Sequence, residues 1–108
     1  MRMMSVIVTG TDEYDIAPAI DEAGHDVTTV DIGNLEALEA AGIDTADVYV
    51  LTELEQATSI PLAKERNPEL TALVYADGSL PDFARRQTDL ALDPALFDPD
   101  EVANELDS

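Results

Sequence analysis

The sequence predicts an α/β domain, a three-layer sandwich in which about five parallel strands, in the simplest order 3-2-1-4-5, lie between helices. Three observations lead there. Short apolar runs alternate with segments of helical spacing along the whole chain. The strongest of these runs, Ser5-Val6-Ile7-Val8-Thr9, is nearly continuous and β-branched, as expected of a parallel strand covered on both faces. Each helical segment also carries a start or stop signal of its own.

The first strand, 5–9, ends at Gly10. In the helix that follows, within 15–24, Ile16, Ile20 and Ala23 share one face and Gly24 ends it. Val27-Thr28-Thr29-Val30-Asp31 forms the second strand. Leu35, Leu38 and Ala41 mark a short second helix closed by Gly42, and Asp47 to Leu51 supply the third strand. Thr52-Glu53-Leu54-Glu55 carries the residues of a capping box, so the third strand should run straight into a helix. Pro61 would cost about 3 kcal/mol inside a straight helix, which predicts a kink or two short helices over 53–59 and 61–66. Asn67-Pro68 ends that element and 70–75 is the fourth strand. A helix opened by Ser79-Leu80-Pro81-Asp82, a short strand over 89–92 and a helix over 99–106 complete a single domain of residues 1–108. The loops at the strand carboxyl ends, where such a sheet holds ligands, are 10–15, 31–34, 52–55, 76–79 and 92–95.

Composition narrows the function. Twenty-four carboxylates face five basic side chains, for a formal charge of −19. The excess is spread evenly, −11 on residues 1–54 and −8 on 55–108. Such a surface repels phosphate backbones and anionic lipid, which argues against nucleic acid and membrane insertion. Twenty-eight Ile, Leu, Val and Phe residues argue against disorder, so the charge reads as a folded surface adapted to concentrated salt. The absence of cysteine excludes disulfides and thiol chemistry. The start, MRMMSVIVTG, reads as neither a signal peptide nor a membrane span, and the expected location is cytoplasmic.

At the turn after the first strand, Gly10 takes the place of the first glycine of a dinucleotide fingerprint, and Asp31, 21 positions on, takes that of the ribose-binding acid. Together with Gly24-His25-Asp26-Val27, Ala41-Gly42-Ile43, Ala46-Asp47, Val50-Leu51-Thr52 and Asn67-Pro68, this resembles the TrkA-N or RCK-N domains of regulators of potassium transport and conductance, over roughly residues 5–93. The resemblance implies a Rossmann-like fold and a non-catalytic regulatory module that binds NAD or an adenine nucleotide, pairs with a second copy and signals to a transport or metabolic protein. The cofactor-binding residues it implies are Gly10, Asp12, Asp31 and Thr52. The sequence departs from the fingerprint at its second and third glycines, where Asp12 and Asp15 stand. With Glu13 they place three negative charges where a phosphate would lie. If Asp15 caps the following helix, Pro18 falls at the third helical position, where no N–H is needed.

Other groups carry weaker signals. Asp12, Glu13 and Asp15 could join Asp31 or Asp77 around a hard cation, though without the spacing of a known loop, and no metal site is assigned. His25, in a helix-to-strand turn, reads as a surface residue. The Arg85-Arg86 pair reads as ordinary surface ion pairing. No catalytic residue stands out. Two alternatives to a regulatory module therefore remain: a scaffold or protein-interaction domain without a small-molecule ligand, or a small enzyme using Asp12, Asp31, Glu53 and Asp77. A homo-oligomer could form through Val102 and Leu106 or through Leu80 and Phe83.

Overall fold

The computed structural model describes residues 3–107. Five strands, β1 (Ser5–Thr9), β2 (Asp26–Val30), β3 (Val48–Leu51), β4 (Thr71–Tyr75) and β5 (Leu90–Leu92), form one parallel sheet. Five helices, α1 (Ile16–Glu22), α2 (Leu35–Ala40), α3 (Ser59–Arg66), α4 (Asp82–Arg85) and α5 (Pro99–Asp107), cover its two faces. The three-layer sandwich and its five parallel strands are as expected. Their order is not: it is β2-β1-β3-β4-β5, with β1 paired to both β2 and β3. The reason lies in side-chain polarity. All four residues of β3 are buried, whereas in β2 only Val27 and Val30 are even partly buried. Order 3-2-1-4-5 would place β2 inside the sheet and bury Thr28 and Thr29, while the observed order leaves that polar strand at an edge.

Strand alternation divides the core in two. Ile7, Tyr49, Leu51, Ala72 and Val74 face Leu38, Ile43, Ile60, Ala63, Leu80 and Ala84, on the side of α2, α3 and α4. Val6, Val8, Val48, Val50, Leu73 and Tyr75 face Ile16, Ile20, Val102, Ala103 and Leu106, on the side of α1 and α5. One face thus has three helices and the other two. Val102, Leu106 and Leu80 fold onto their own sheet, leaving Phe83 exposed.

The helix ends correct several local expectations. Thr52 caps no helix: a 3-10 turn (Leu54–Gln56) intervenes, and α3 begins at Ser59. The chain does break near Pro61, but earlier than expected, so that Pro61 is the third residue of α3, inside the first turn where an N–H has no helical partner. The capping box is at the other end of the chain. Asp98 Oδ1 accepts from Glu101 N–H at 2.9 Å and Glu101 Oε1 accepts from Asp98 N–H at 3.2 Å, with Pro99 as the first residue of α5. His25 is buried, not a surface residue; its Nδ1 accepts from Met4 N–H at 3.0 Å.

Side chains also hold the sheet margins. Asn67, at the end of α3, donates from Nδ2 to the carbonyls of Ile43 and Ala46, at 3.1 and 2.8 Å. Lys64, the single lysine, donates to Asp89 Oδ2 at 2.8 Å and to the Leu70 carbonyl, and the same carboxylate oxygen accepts from Ala72 N–H at 2.8 Å. Partial burial alone would raise the Asp89 pKa, but the Lys64 ammonium and the Ala72 amide together hold it below the usual range.

Two measurements test this account. With so few cations to offset its acids, the chain should gain stability as salt screens their repulsion; from about 0.1 M to 1 M, where the Debye length falls from about 10 to 3 Å, Tm should rise by about 10 °C if screening returns about 2 kcal/mol. A flat Tm would remove self-repulsion as a limiting term. Lys64→Met should destabilise by about 1 kcal/mol at neutral pH. Because the Asp89 pKa is lowered in the fold, its share of that loss is present above the ordinary carboxylate pKa of about 3.9 and vanishes as pH falls through the folded value. The gap between urea melts of the two proteins should therefore narrow from neutral to acid pH, leaving the share due to the Leu70 carbonyl.

Candidate functional site

With β1 between β2 and β3, the chain leaves the sheet in opposite directions on the two sides of β1, and the crevice created there lies between the loops after β1 and β3. Its centre is a hydrogen-bonded staple. The Thr52 hydroxyl donates to the Thr9 carbonyl at 2.9 Å and accepts from Asp12 N–H at 3.1 Å. Gly10, at φ 114°, passes so close to Thr52 that a Cβ there would collide with Oγ1. Asp12 is itself in the left-handed region, at φ 53°, and its carboxylate turns onto the start of α1. Oδ1 accepts from Ile16 N–H at 2.7 Å and Oδ2 from Ala17 N–H at 3.0 Å. Asp15 occupies the residue before the helix, at φ 58°, but its side chain makes no capping bond. Asp12, not Asp15, therefore does the capping, and Pro18 falls third in α1 as anticipated. A carboxylate already fills the amide site that a phosphate would take at a helix N-terminus.

The mouth above this staple is closed from the side of β4. The Tyr14 hydroxyl donates to Asp77 Oδ2, and the Tyr14 ring packs edge-on against Tyr75 with centroids 6.0 Å apart. That bond to Asp77, with some desolvation and the nearby charges of Asp77, Glu13 and Asp93, pushes the Tyr14 pKa up to about 12. The Tyr75 hydroxyl donates to the Phe97 carbonyl at 2.6 Å, and burial, then the charges of Asp98, Glu101 and Asp12, raise its pKa too. What stays open is a shallow crevice of about 270 Å³ lined by Glu13, Glu53, Glu55 and Asp77, with no cation among its walls. It is a poor place for an anion.

Asp31 lies apart, exposed at the end of β2. Its carbonyl accepts from Gln56 Nε2 at 2.8 Å, while Gln56 Oε1 accepts from Gly33 N–H at 2.7 Å. Gly33 needs to be glycine, because a Cβ would lie 2.8 Å from the Tyr49 hydroxyl and 3.0 Å from Ser59 Cβ. The Tyr49 hydroxyl donates to Ser59 Oγ at 2.8 Å, and Ser59 in turn donates to the Gln56 carbonyl at 2.7 Å. Burial pushes the Tyr49 pKa up, partly offset by the Ser59 contact. This second clamp ties the loop after β2 to the turn after β3. Gln56, Tyr49 and Ser59 carry no motif that would have singled them out.

Of the four residues implied as cofactor ligands, the fold brings Gly10, Asp12 and Thr52 into one staple and leaves Asp31 across β1. Of the acids weighed for catalysis, only Glu53 and Asp77 share the crevice, and each of those two is already engaged. Asp12 faces α1, Asp77 meets Tyr14, Glu53 Oε1 accepts from Gln56 at 3.2 Å, and Asp31 is in solvent. Among the described residues no group of three or more His, Cys, Asp or Glu is placed to hold a metal ion. No helix among them is long and apolar enough to cross a membrane. Arg85 is indeed a surface cation, with Nη1 3.8 Å from Asp82 and Nη2 donating to the Leu80 carbonyl at 3.1 Å.

Comparison with known proteins corrects the resemblance inferred from sequence. The fold is similar to NtrX from Brucella abortus, solved in complex with ADP (TM-score 0.75, 18% identity, 98% of this chain and 26% of that one). It is similar to a response regulator from Thermotoga maritima (0.73, 14%, 98% and 96%) and to an atypical orphan response regulator with a phosphorylation-independent mechanism (0.71, 15%, 96% and 92%). The TrkA-N domain of the inner membrane protein ybaL from Escherichia coli is a weaker match (0.58, 12%, 97% and 95%). The TrkA-N or RCK-N assignment is thereby overturned. With it goes the reading of a ligand-sensing module built on a degenerate nucleotide site, since Asp12 occupies the amides at the start of α1 and acids line the crevice beside them. No curated protein matches the sequence. Residues 6–106 match a sequence family throughout, and the chain belongs to it: the family of unknown function DUF7126.

Proposed function

We propose that this chain is a non-catalytic protein-interaction domain that works without a small-molecule ligand. The observation that carries this reading is the Asp12 carboxylate on the first amides of α1, which satisfies from within the donors that would otherwise recruit a phosphate. On this reading Gly10, Asp12 and Thr52 form an internal staple instead of a cofactor site. Asp31 is a solvated loop residue whose backbone is held by Gln56. The similarity to response regulators supports a role in signalling through partner proteins, because that fold presents loops and helix faces with few chemical demands of its own. Self-association and a link to transport or metabolic proteins are narrower versions of the same reading, and the acidity of the surface favours a basic partner over a second copy.

Thermal shift in high salt with NAD, NADH, ATP, ADP and AMP tests it. A nucleotide present at a hundred times its Kd would add about 2.7 kcal/mol, a displacement of Tm too large to miss. We expect none, and a shift abolished by Asp31→Ala would sink the proposal. Asp12→Ala should lower stability by about 1 to 2 kcal/mol through loss of the cap and should create no nucleotide response. The closure of the mouth is read separately. All three tyrosines are held above their ordinary pKa, so tyrosinate absorbance should stay low past pH 10. Because the Tyr14 value is raised, the stability it contributes is intact below the unfolded pKa of about 10 and is lost progressively as pH climbs from there through about 12. Ionisation of one tyrosine near its ordinary pKa, absent from Tyr14→Phe, would show the latch to be open.

A further inference from the structure

We infer that the groove between β5 and α5 is the docking site for an amphipathic, basic segment of a partner protein; the inference rests on the protein-interaction reading above. The groove follows from the unequal layers. On the face covered by two helices, α1 and α5 pack against each other and bury Leu73 and Tyr75 of β4, but the cover runs out at β5, where Leu92 is only partly buried and Leu90 is exposed. β5 is an edge strand, paired only to β4. Alternation sends Leu90 and Leu92 to this side, beside Leu73, while Val102 and Leu106 of α5 form the opposite wall and Phe97 closes one end. The enclosed space is about 320 Å³. Leu90 and Phe97 remain 42% and 37% exposed, and Leu96, next to Phe97, is 73% exposed.

Other exposed apolar side chains, such as Ile32 and Phe83, stand apart in the sequence, whereas Leu90, Leu96 and Phe97 lie on β5 and the loop that follows it. The groove is too small to seat a globular face, since stable interfaces bury about 800 Å² on each partner. It suits a single helix or strand that places a few aliphatic residues in a slot. Charge selects the occupant. Glu105 is among the groove's lining residues, and Glu101 stands one helical turn before it. Asp93 and Asp98 bracket the loop that carries Leu96 and Phe97. A second copy docked by two-fold symmetry would bring the same acids against themselves. A segment with Lys or Arg flanking its apolar stripe meets them with opposite charge.

The probes are two synthetic helices about 18 residues long, enough to hold helical structure, one patterned Leu/Lys and the other Leu/Glu. Binding is followed by fluorescence anisotropy at about 0.15 M salt and again near 1 M. The Leu/Lys helix should bind the wild type and Thr29→Asp, at the far edge on β2, with equal affinity. Leu90→Asp should weaken it at least about tenfold, although this change adds a negative charge that general electrostatic attraction would welcome. Phe97→Ser, tested beside it, should act in the same direction without altering charge, and circular dichroism checks that each variant is folded. Unchanged binding by both groove variants would overturn the inference, as would equal binding of the Leu/Glu helix. Self-association of the wild type abolished by Leu90→Asp would assign the groove to a second copy and equally overturn it. Each of these results leaves the wider interaction reading standing, because that reading falls on the nucleotide-dependent thermal shift.

Discussion

The pairing of β1 with β3 is the constraint on which the other features depend. It sets Thr9 beside Leu51, and one residue further on it brings the Thr52 amide and hydroxyl onto the Thr9 carbonyl. The hydroxyl then fixes Asp12, and Asp12 fixes the first turn of α1. A chain of short contacts thus runs from the centre of the sheet to a helix start without leaving the interior of the crevice. Had β1 paired with β2 and β4, as in a dinucleotide-binding sheet, Thr52 would not reach Asp12.

Much of the fold was legible because it rests on periodicities that local sequence carries. The buried run of β1, the start of α5 at Pro99 and the break near Pro61 follow from residue types within a few positions of one another. Strand order does not, since it is decided by competition among strands for the interior. Even so, the threonines of β2 held the information: a strand reading Asp-Val-Thr-Thr-Val belongs at an edge, and weighing it against Val-Tyr-Val-Leu would have moved β3 to the centre.

The site was harder to read for a different reason. Asp12 and Asp15 both look like helix caps, and only the left-handed turn through residues 12–15 decides which carboxylate reaches the amides. Thr52 and Glu55 have the residue types of a capping box, yet the box forms at Asp98 and Glu101, where no staple to a neighbouring strand competes for the first residue. Gln56, which locks two loops together, has the same local signature as any surface glutamine. Long-range hydrogen bonds of this kind depend on which loops become neighbours, so they inherit every uncertainty in strand order.

Lys64 gives the chain an unusual chemical profile. Among the side chains it is the one primary amine, and it is largely covered, tied at once to the Leu70 carbonyl and to Asp89 at the entry to β5. A reagent that acylates amines therefore has a single side-chain target in a protein whose other ionisable groups are mostly carboxylates. Acylation would remove the charge, leave Asp89 without its counter-ion and loosen the anchored end of the edge strand. One nitrogen thus anchors an edge strand, and no second amine side chain is present to take its place.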